Sequence, residues 1–199
     1  MLTHGPQTKI RSIQILNPVR YQNRFHEIRN AQAGFHLGLE SCFCFANIRE
    51  VGADRIVNAV AAYERHKELS IVVDFGTATT FDVLSAKGEY LGGAITPGVN
   101  ISLDALFDKA AGLRRVELSE PRGVIGRNTA EAIQSGVMFG YAALVDGICE
   151  RIEAELGPCT IVSTGGLATV LAPFTRKIST DEPWLTLHGL RLVYARNRK

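Results

Sequence analysis

Twelve consecutive residues, Val72-Val-Asp-Phe-Gly-Thr-Ala-Thr-Thr-Phe-Asp-Val83, constrain the fold of this chain more than any other part of it. Ile71-Val72-Val73 is a β-branched run too short for a helix, and it stops at Asp74 and Gly76, so it reads as a buried strand. Thr80 to Ser85 and Glu89 to Thr96 follow, joined by Ala86-Lys87-Gly88, which predicts a hairpin continuing the same sheet until Pro97-Gly98 stops it. A carboxylate at the end of a buried strand therefore leads straight into a glycine turn and three hydroxyls. Each part has a use at a phosphate site. Gly76 lets backbone approach a ligand, Thr77 and Thr79 can donate to phosphoryl oxygens, and Asp74 can hold a cation against their charge. The pattern equally describes a strand ending in a tight turn with threonines that merely suit strands, and by itself it leaves both open. The letters Asp-Phe-Gly also occur in protein kinases, but no His-Arg-Asp loop precedes them and no Gly-rich loop or Val-Ala-Ile-Lys strand lies upstream.

Helical spacing surrounds this hairpin. Ile56, Val60 and Tyr63 recur at i, i+4 and i+7, predicting a helix just after Gly-Ala-Asp-Arg with Asp54 near its positive end. Val99, Leu103, Leu106 and Ala110 mark a second helix. A longer one carries Ile133, Val137, Tyr141, Leu144, Ile148 and Ile152 on one stripe, capped by Asn128 or Thr129. Thr160 to Ser163 is a further short strand, opening into Thr164-Gly165-Gly166 and a helix to about Pro173. Leu185 to Tyr194 forms a closing amphipathic stretch. Strands and helices mixed in this way make an α/β domain.

Three further signals carry chemistry. Gly52-Ala53-Asp54-Arg55 sets an acid beside an arginine at a helix start, which suits a base that takes a hydroxyl proton next to a clamp for a carboxylate substrate; an ordinary N-terminal Asp with a solvated Arg fits the same letters. Ile125-Gly126-Arg127-Asn128-Thr129 is a helix cap, or a substrate contact if it faces the same cleft. Thr164-Gly165-Gly166 is a glycine turn on which a flat ring such as adenine could pack. Neither a Walker loop nor Gly-x-Gly-x-x-Gly occurs in the chain.

Composition bounds the rest. The 199 residues carry 22 Lys and Arg against 20 Asp and Glu, a formal charge of +2, which supplies no long-range field for nucleic acid or acidic lipid and favours a small-molecule substrate. No stretch reaches the roughly 18 uninterrupted apolar residues of a membrane span, and the start lacks the apolar middle of a secretory signal, so the expected compartment is the cytoplasm. Four cysteines, with the Cys42/Cys44 pair lacking a second close pair, read as reduced and structural rather than as a zinc site. Residues 1–50 hold six Lys and Arg and three Asp and Glu, with no sustained period. A short helix around residues 21–31 with irregular flanks is the expectation there.

Taken in order, GADRIVNAVAA, VVDFGTATTFDV, GGAITPGVNISLDAL, IGRNTAEAIQSGVMFGYAALVDG and STGGLA closely resemble type III pantothenate kinases, from about Asn47 to the terminal LTLHGLRLVYARN. The family belongs to the superfamily of actin, sugar kinases and heat-shock ATPases. The resemblance thus implies a ribonuclease-H-like α/β domain, a mixed sheet with flanking helices, over residues 47–199. It further implies ATP-dependent phosphorylation of pantothenate, the first step toward coenzyme A, with Mg2+ and a monovalent cation (K+ or NH4+) as cofactors and a homodimer as the assembly. By position, Asp54 matches the family's proton acceptor, and Gly52, Ala53, Asp54 and Arg55 its pantothenate-binding segment. Asp74 matches the monovalent-cation ligand, Thr77 an ATP contact and Thr129 a pantothenate contact.

The family's first domain begins with an Asp-x-Gly-Asn-Thr loop that cradles the ATP phosphates and helps to place magnesium. This chain has no aspartate before Asp54. Phe45 stands nearest to the tyrosine that usually lines the pantothenate pocket. Residues 1–46 are thus expected to be an atypical segment in place of the first domain. Two expectations follow: a kinase whose first domain lies elsewhere, or a non-catalytic relative that keeps the fold for binding or dimerisation. In either case, activity of this chain by itself is expected to be weak or absent.

Overall fold

The computed structural model describes residues 51–110 and 112–197, so the helix expected around residues 21–31, Cys42, Cys44 and Phe45 lie outside the described residues. The first element, α1 (Ala53–His66), starts at Gly52 without a side-chain cap. It ends where Lys67 turns left-handed (φ 53°) and returns its N–H to the Tyr63 carbonyl at 3.0 Å. Alanines 59, 61 and 62 on its buried face let it lie close to the sheet.

Five strands form that sheet: β1 (Ser70–Phe75), β2 (Ala78–Leu84), β3 (Tyr90–Pro97), β4 (Thr160–Thr164) and β5 (Thr180–Asp181). Their order is β3-β2-β1-β4-β5. β1, β2 and β3 run antiparallel, and β4 and β5 join β1 in parallel. Register places Asp74 opposite Thr80 on one side and Thr164 on the other. Opposed residues share a face. One face therefore carries Val72, Asp74, Thr80, Asp82 and Thr164, and the other Val73, Phe75, Phe81 and Ile161.

Each face has its own helical layer. Val72, Leu84, Tyr90 and Val162 pack with α1 and with Leu185 of α5 (Leu185–Asn197). Gly189 makes the α1–α5 crossing tight, since a Cβ there would run into the Val57 carbonyl. On the opposite face Ile71, Val73, Phe75 and Phe81 pack with α2 (Val99–Lys109), α3 (Thr129–Leu156) and α4 (Ala168–Leu171). A 3-10 turn at Ala172–Phe174 extends α4 to about where the sequence ends that helix.

The cap of α3 is Asn128, whose side chain accepts from Glu131 N at 2.9 Å, while Glu131 Oε2 reaches back to Arg127 N at 2.8 Å. The expected stripe, Ile133, Val137, Tyr141, Leu144, Ile148 and Ile152, packs half-buried against the core, and beside it Ser135, Met138, Ala142, Val145, Asp146 and Cys149 are fully buried. Apolar residues circle this helix, so spacing alone does not say which of them go deepest. Asp146 can be buried because it accepts the backbone N–H groups of Arg176 (2.9 Å) and Lys177 (3.1 Å). By length and composition alone α3 could cross a membrane; in the fold its core stripe packs on the sheet. In α2, similarly, only Val99 and Leu103 are buried, and Leu106 is exposed. The two-residue β5 is too short to leave a sequence pattern; Ser163 Oγ bonds Asp181 Oδ1 at 2.8 Å beside it. Cys149 and Cys159 are free thiols, and burial pushes that of Cys149 up to about 12.

Candidate active site

Asp74 occupies the last turn of β1, half-buried. Its Oδ2 accepts from Asn58 Nδ2 at 3.0 Å. Its Oδ1 faces two glycines. A Cβ on Gly76 would sit in ordinary contact at 3.4 Å, and a Cβ on Gly165 would overlap that oxygen. Gly165 also has φ +97°, a conformation that side chains strain to adopt, and the turn it makes after β4 lies close against the Phe75 backbone. Oδ1 thus occupies the place that a side chain on Gly165 would take. Burial raises the Asp74 carboxyl above the usual range, the Asn58 bond opposes that rise, and the nearby charges of Asp54 and Asp82 add to it. Thr164, directly opposite on the same face, is fully buried and its Oγ1 has no hydrogen-bond partner.

Asp54 stands exposed in the first turn of α1, its Oδ1 accepting the Arg55 N–H at 2.9 Å. Gly52 leaves the room it occupies, because a Cβ at that position would collide with Asp54 Oδ1. Asn58 follows Asp54 by four residues and so lies on the same side of α1. The helix that carries the exposed acid therefore also grips Asp74.

Arg55 points elsewhere. Its Nε and Nη2 both reach Asp82 Oδ1 at 2.7 Å, its ring-side neighbour is Tyr90, and it is 9% exposed. Asp82, fully buried, also accepts from Tyr90 Oη at 2.5 Å and from Thr80 Oγ1 at 3.1 Å. Burial pushes both the Asp82 carboxyl and the Tyr90 phenol up, although the bonds to Asp82 favour its charge. The sequence offered Arg55 as a clamp for a substrate carboxylate, but in the fold its guanidinium is taken by a carboxylate 27 residues away.

The remaining sequence candidates divide by layer. Thr77 is exposed on the β1–β2 turn, and its carbonyl accepts Gly98 N at 3.1 Å, so the start of α2 abuts that turn. Gly98 permits this, since any Cβ would strike the Thr77 carbonyl. Thr129, exposed, opens α3 and therefore stands on the layer opposite α1. Gly52, Ala53, Asp54 and Asp74 come together; Thr129 arrives from across the sheet. Sequence reasoning missed Asn58 and Thr186, whose Oγ1 donates to Asn58 Oδ1 at 2.7 Å. The available signal was a polar residue four after Asp54 on a helix face otherwise made of Val and Ala. Among the described residues no group of three His, Cys, Asp or Glu side chains could cage a metal.

A mixed sheet ordered in this way, with helices on both faces and an acid at the end of its central strand, is an α/β domain of ribonuclease-H-like topology. A solved structure titled as a conserved putative Baf family transcriptional activator from Campylobacter jejuni shares the fold, with a TM-score of 0.55 and 23% identity over 88% of this chain and 79% of that one. The family model of type III pantothenate kinase matches residues 20–151, beginning upstream of the motifs that start at Asn47. The type III pantothenate kinase of Myxococcus xanthus is 52% identical over 182 residues, 91% of this chain and 71% of that protein. That of Anaeromyxobacter sp. strain K is 58% identical over 155 residues, 77% and 61%, and that of Streptomyces coelicolor 56% over 153 residues, 75% and 58%. The chain belongs to the type III pantothenate kinase family. It spans 58% to 71% of the length of these three relatives.

Proposed function

We propose that the protein transfers the γ-phosphoryl group of ATP to the primary hydroxyl of pantothenate, yielding 4'-phosphopantothenate for coenzyme A synthesis in the cytoplasm. One observation carries this reading: Asp54 and Asp74 lie on one side of the sheet, near enough for the charge of one to act on the other, with a single helix supplying Asp54 and the grip on Asp74. Asp54, exposed and without a salt bridge among the described residues, takes the hydroxyl proton, while Gly52 leaves the room its carboxylate occupies. Arg55 holds the first turn of α1 to the hairpin through Asp82.

Asp74 Oδ1, which accepts no hydrogen bond among the described residues, is the oxygen left to bind a monovalent cation such as K+ or NH4+. Bound there, such a cation supplies positive charge beside the phosphates. Thr77, exposed on the turn, donates to phosphoryl oxygens of the nucleotide. Mg2+ enters with the nucleotide. Thr129 contacts pantothenate, and the assembly is a homodimer.

The test is an assay of the chain with ATP, Mg2+, K+ and pantothenate. Asp54→Asn is expected to retain nucleotide binding and to lose about 10²-fold or more in turnover. Equal turnover in that variant would remove Asp54 from the reaction. A folded, unsubstituted chain that binds nucleotide without turnover would favour the non-catalytic alternative.

A further inference from the structure

The helix that carries the exposed acid also holds the strand-end acid, through one side chain whose orientation is fixed from a third element. Asn58 is fully buried, and both ends of its amide are used. Nδ2 donates to Asp74 Oδ2 at 3.0 Å, and Oδ1 accepts from Thr186 Oγ1 at 2.7 Å. An ionised carboxylate can only accept, so the nitrogen must face Asp74. The hydroxyl of Thr186 can donate to the amide oxygen that this leaves behind. Together the two partners select one of the two amide orientations. Thr186 lies in the first turn of α5, at the end of the chain and 128 residues from Asn58.

The geometry at Asp74 shows what this chain of bonds does. One carboxylate oxygen is bound by Asn58; the other lies against Gly165, with Gly76 in van der Waals range. Rotation of the carboxylate would exchange them, and among the described residues the Asn58 bond is the one side-chain hydrogen bond that fixes Oδ2. We propose that Asn58 is the positioning residue of the site, holding Asp74 by Oδ2 so that Oδ1 stays turned toward the two glycines, with Thr186 setting the orientation of its amide. Because Asn58 sits one turn after Asp54, the same helix fixes the distance between the two acids. The C-terminal helix thereby acts on the site without touching a substrate.

In its cation aspect this inference rests on the function proposed above, and two readouts keep the two separable. The first needs no cation. In the full chain, the side-chain amide resonances of Asn58, followed by 15N NMR, are expected to move in Asp74→Ala and in Thr186→Val and to stay in place in Thr186→Ser. Resonances that ignore both Asp74→Ala and Thr186→Val would overturn the proposal. The second is the K+ concentration giving half of the K+-dependent rise in melting temperature. It is expected to climb by about tenfold to a hundredfold in Asn58→Ala and in Thr186→Val, with Thr186→Ser near the unsubstituted value. Asn58→Ala empties a buried polar position, so the partly exposed Thr186 pair decides the matter if that variant does not fold. An unchanged K+ midpoint in folded Thr186→Val would overturn the positioning role. No K+ response in the unsubstituted chain, with the amide resonances moving as expected, would instead remove the cation from the proposed function and leave the positioning intact.

Discussion

At Asp74 two glycines flank one carboxylate, and the structure ranks them. Gly165 combines φ +97° with a Cβ position that overlaps Asp74 Oδ1 and crowds the Phe75 backbone; Gly76 offers a Cβ only ordinary contact. Gly165→Ala is therefore expected to cost about 1–3 kcal/mol in urea unfolding and to displace Asp74. Gly76→Ala is expected to stay within about 0.5 kcal/mol of the unsubstituted chain. Equal losses in the two variants would contradict this ranking. The sequence placed the essential glycine at 76, inside the Asp-Phe-Gly-Thr turn. The fold needs its counterpart just after a strand 89 residues later, and no local pattern connects the two.

Among the elements, α1 and the β2–β3 hairpin are locked by a buried ion pair. Arg55→Met leaves Asp82 buried and charged without its partner, and is expected to cost about 3–5 kcal/mol in a denaturant titration. Replacing both, Arg55→Met with Asp82→Leu, is expected to recover most of that loss, because the desolvation of both charges disappears with the pair. A double variant no more stable than the single one would show that Arg55 matters for another reason. A second lock, Lys177 Nζ to Glu153 Oε2 at 2.6 Å, joins the last turns of α3 to the segment before β5. That bond holds the Glu153 carboxyl below its usual range. A depressed carboxylate contributes stability above its unfolded value, near pH 4.5, and the contribution fades as pH falls through the lower folded value. The melting-temperature gap between the unsubstituted chain and Glu153→Gln is therefore expected to close on acidification below pH 4.5. A gap constant from pH 7 to pH 3 would exclude this linkage. Neither lock was legible beforehand. Arg55 beside Asp54 looked like a local acid–base pair, since sequence adjacency is visible and the 27-residue reach to Asp82 is not.

For the whole molecule, the proposed homodimer has a surface to use. Val124 and Ile125, just before α3, are 70% and 88% exposed, and Ile101 and Leu106 on α2 are exposed as well. Light scattering is expected to give twice the chain mass, and Ile125→Glu to shift the population toward the monomer. A monomer at all concentrations would remove the dimer from the proposal.

The element order came through from sequence because its signals are local. A β-branched run ending in Asp74-Phe-Gly predicted β1, and the loops at Ala86-Lys87-Gly88 and Pro97-Gly98 bounded the hairpin. The Gly-Ala-Asp-Arg start placed α1 with Asp54 in its first turn. The five ordered motifs also sufficed to point to the family. Which residues of α3 go deepest, where Arg55 reaches and what holds Asp74 were decided only on folding. Each depends on a partner distant in sequence: Arg176 for Asp146, Asp82 for Arg55, Thr186 for Asn58. Side-chain periodicity records how often a residue meets a surface but carries no information on which surface, so these pairings exist only once each helical layer has packed on its own face of the sheet.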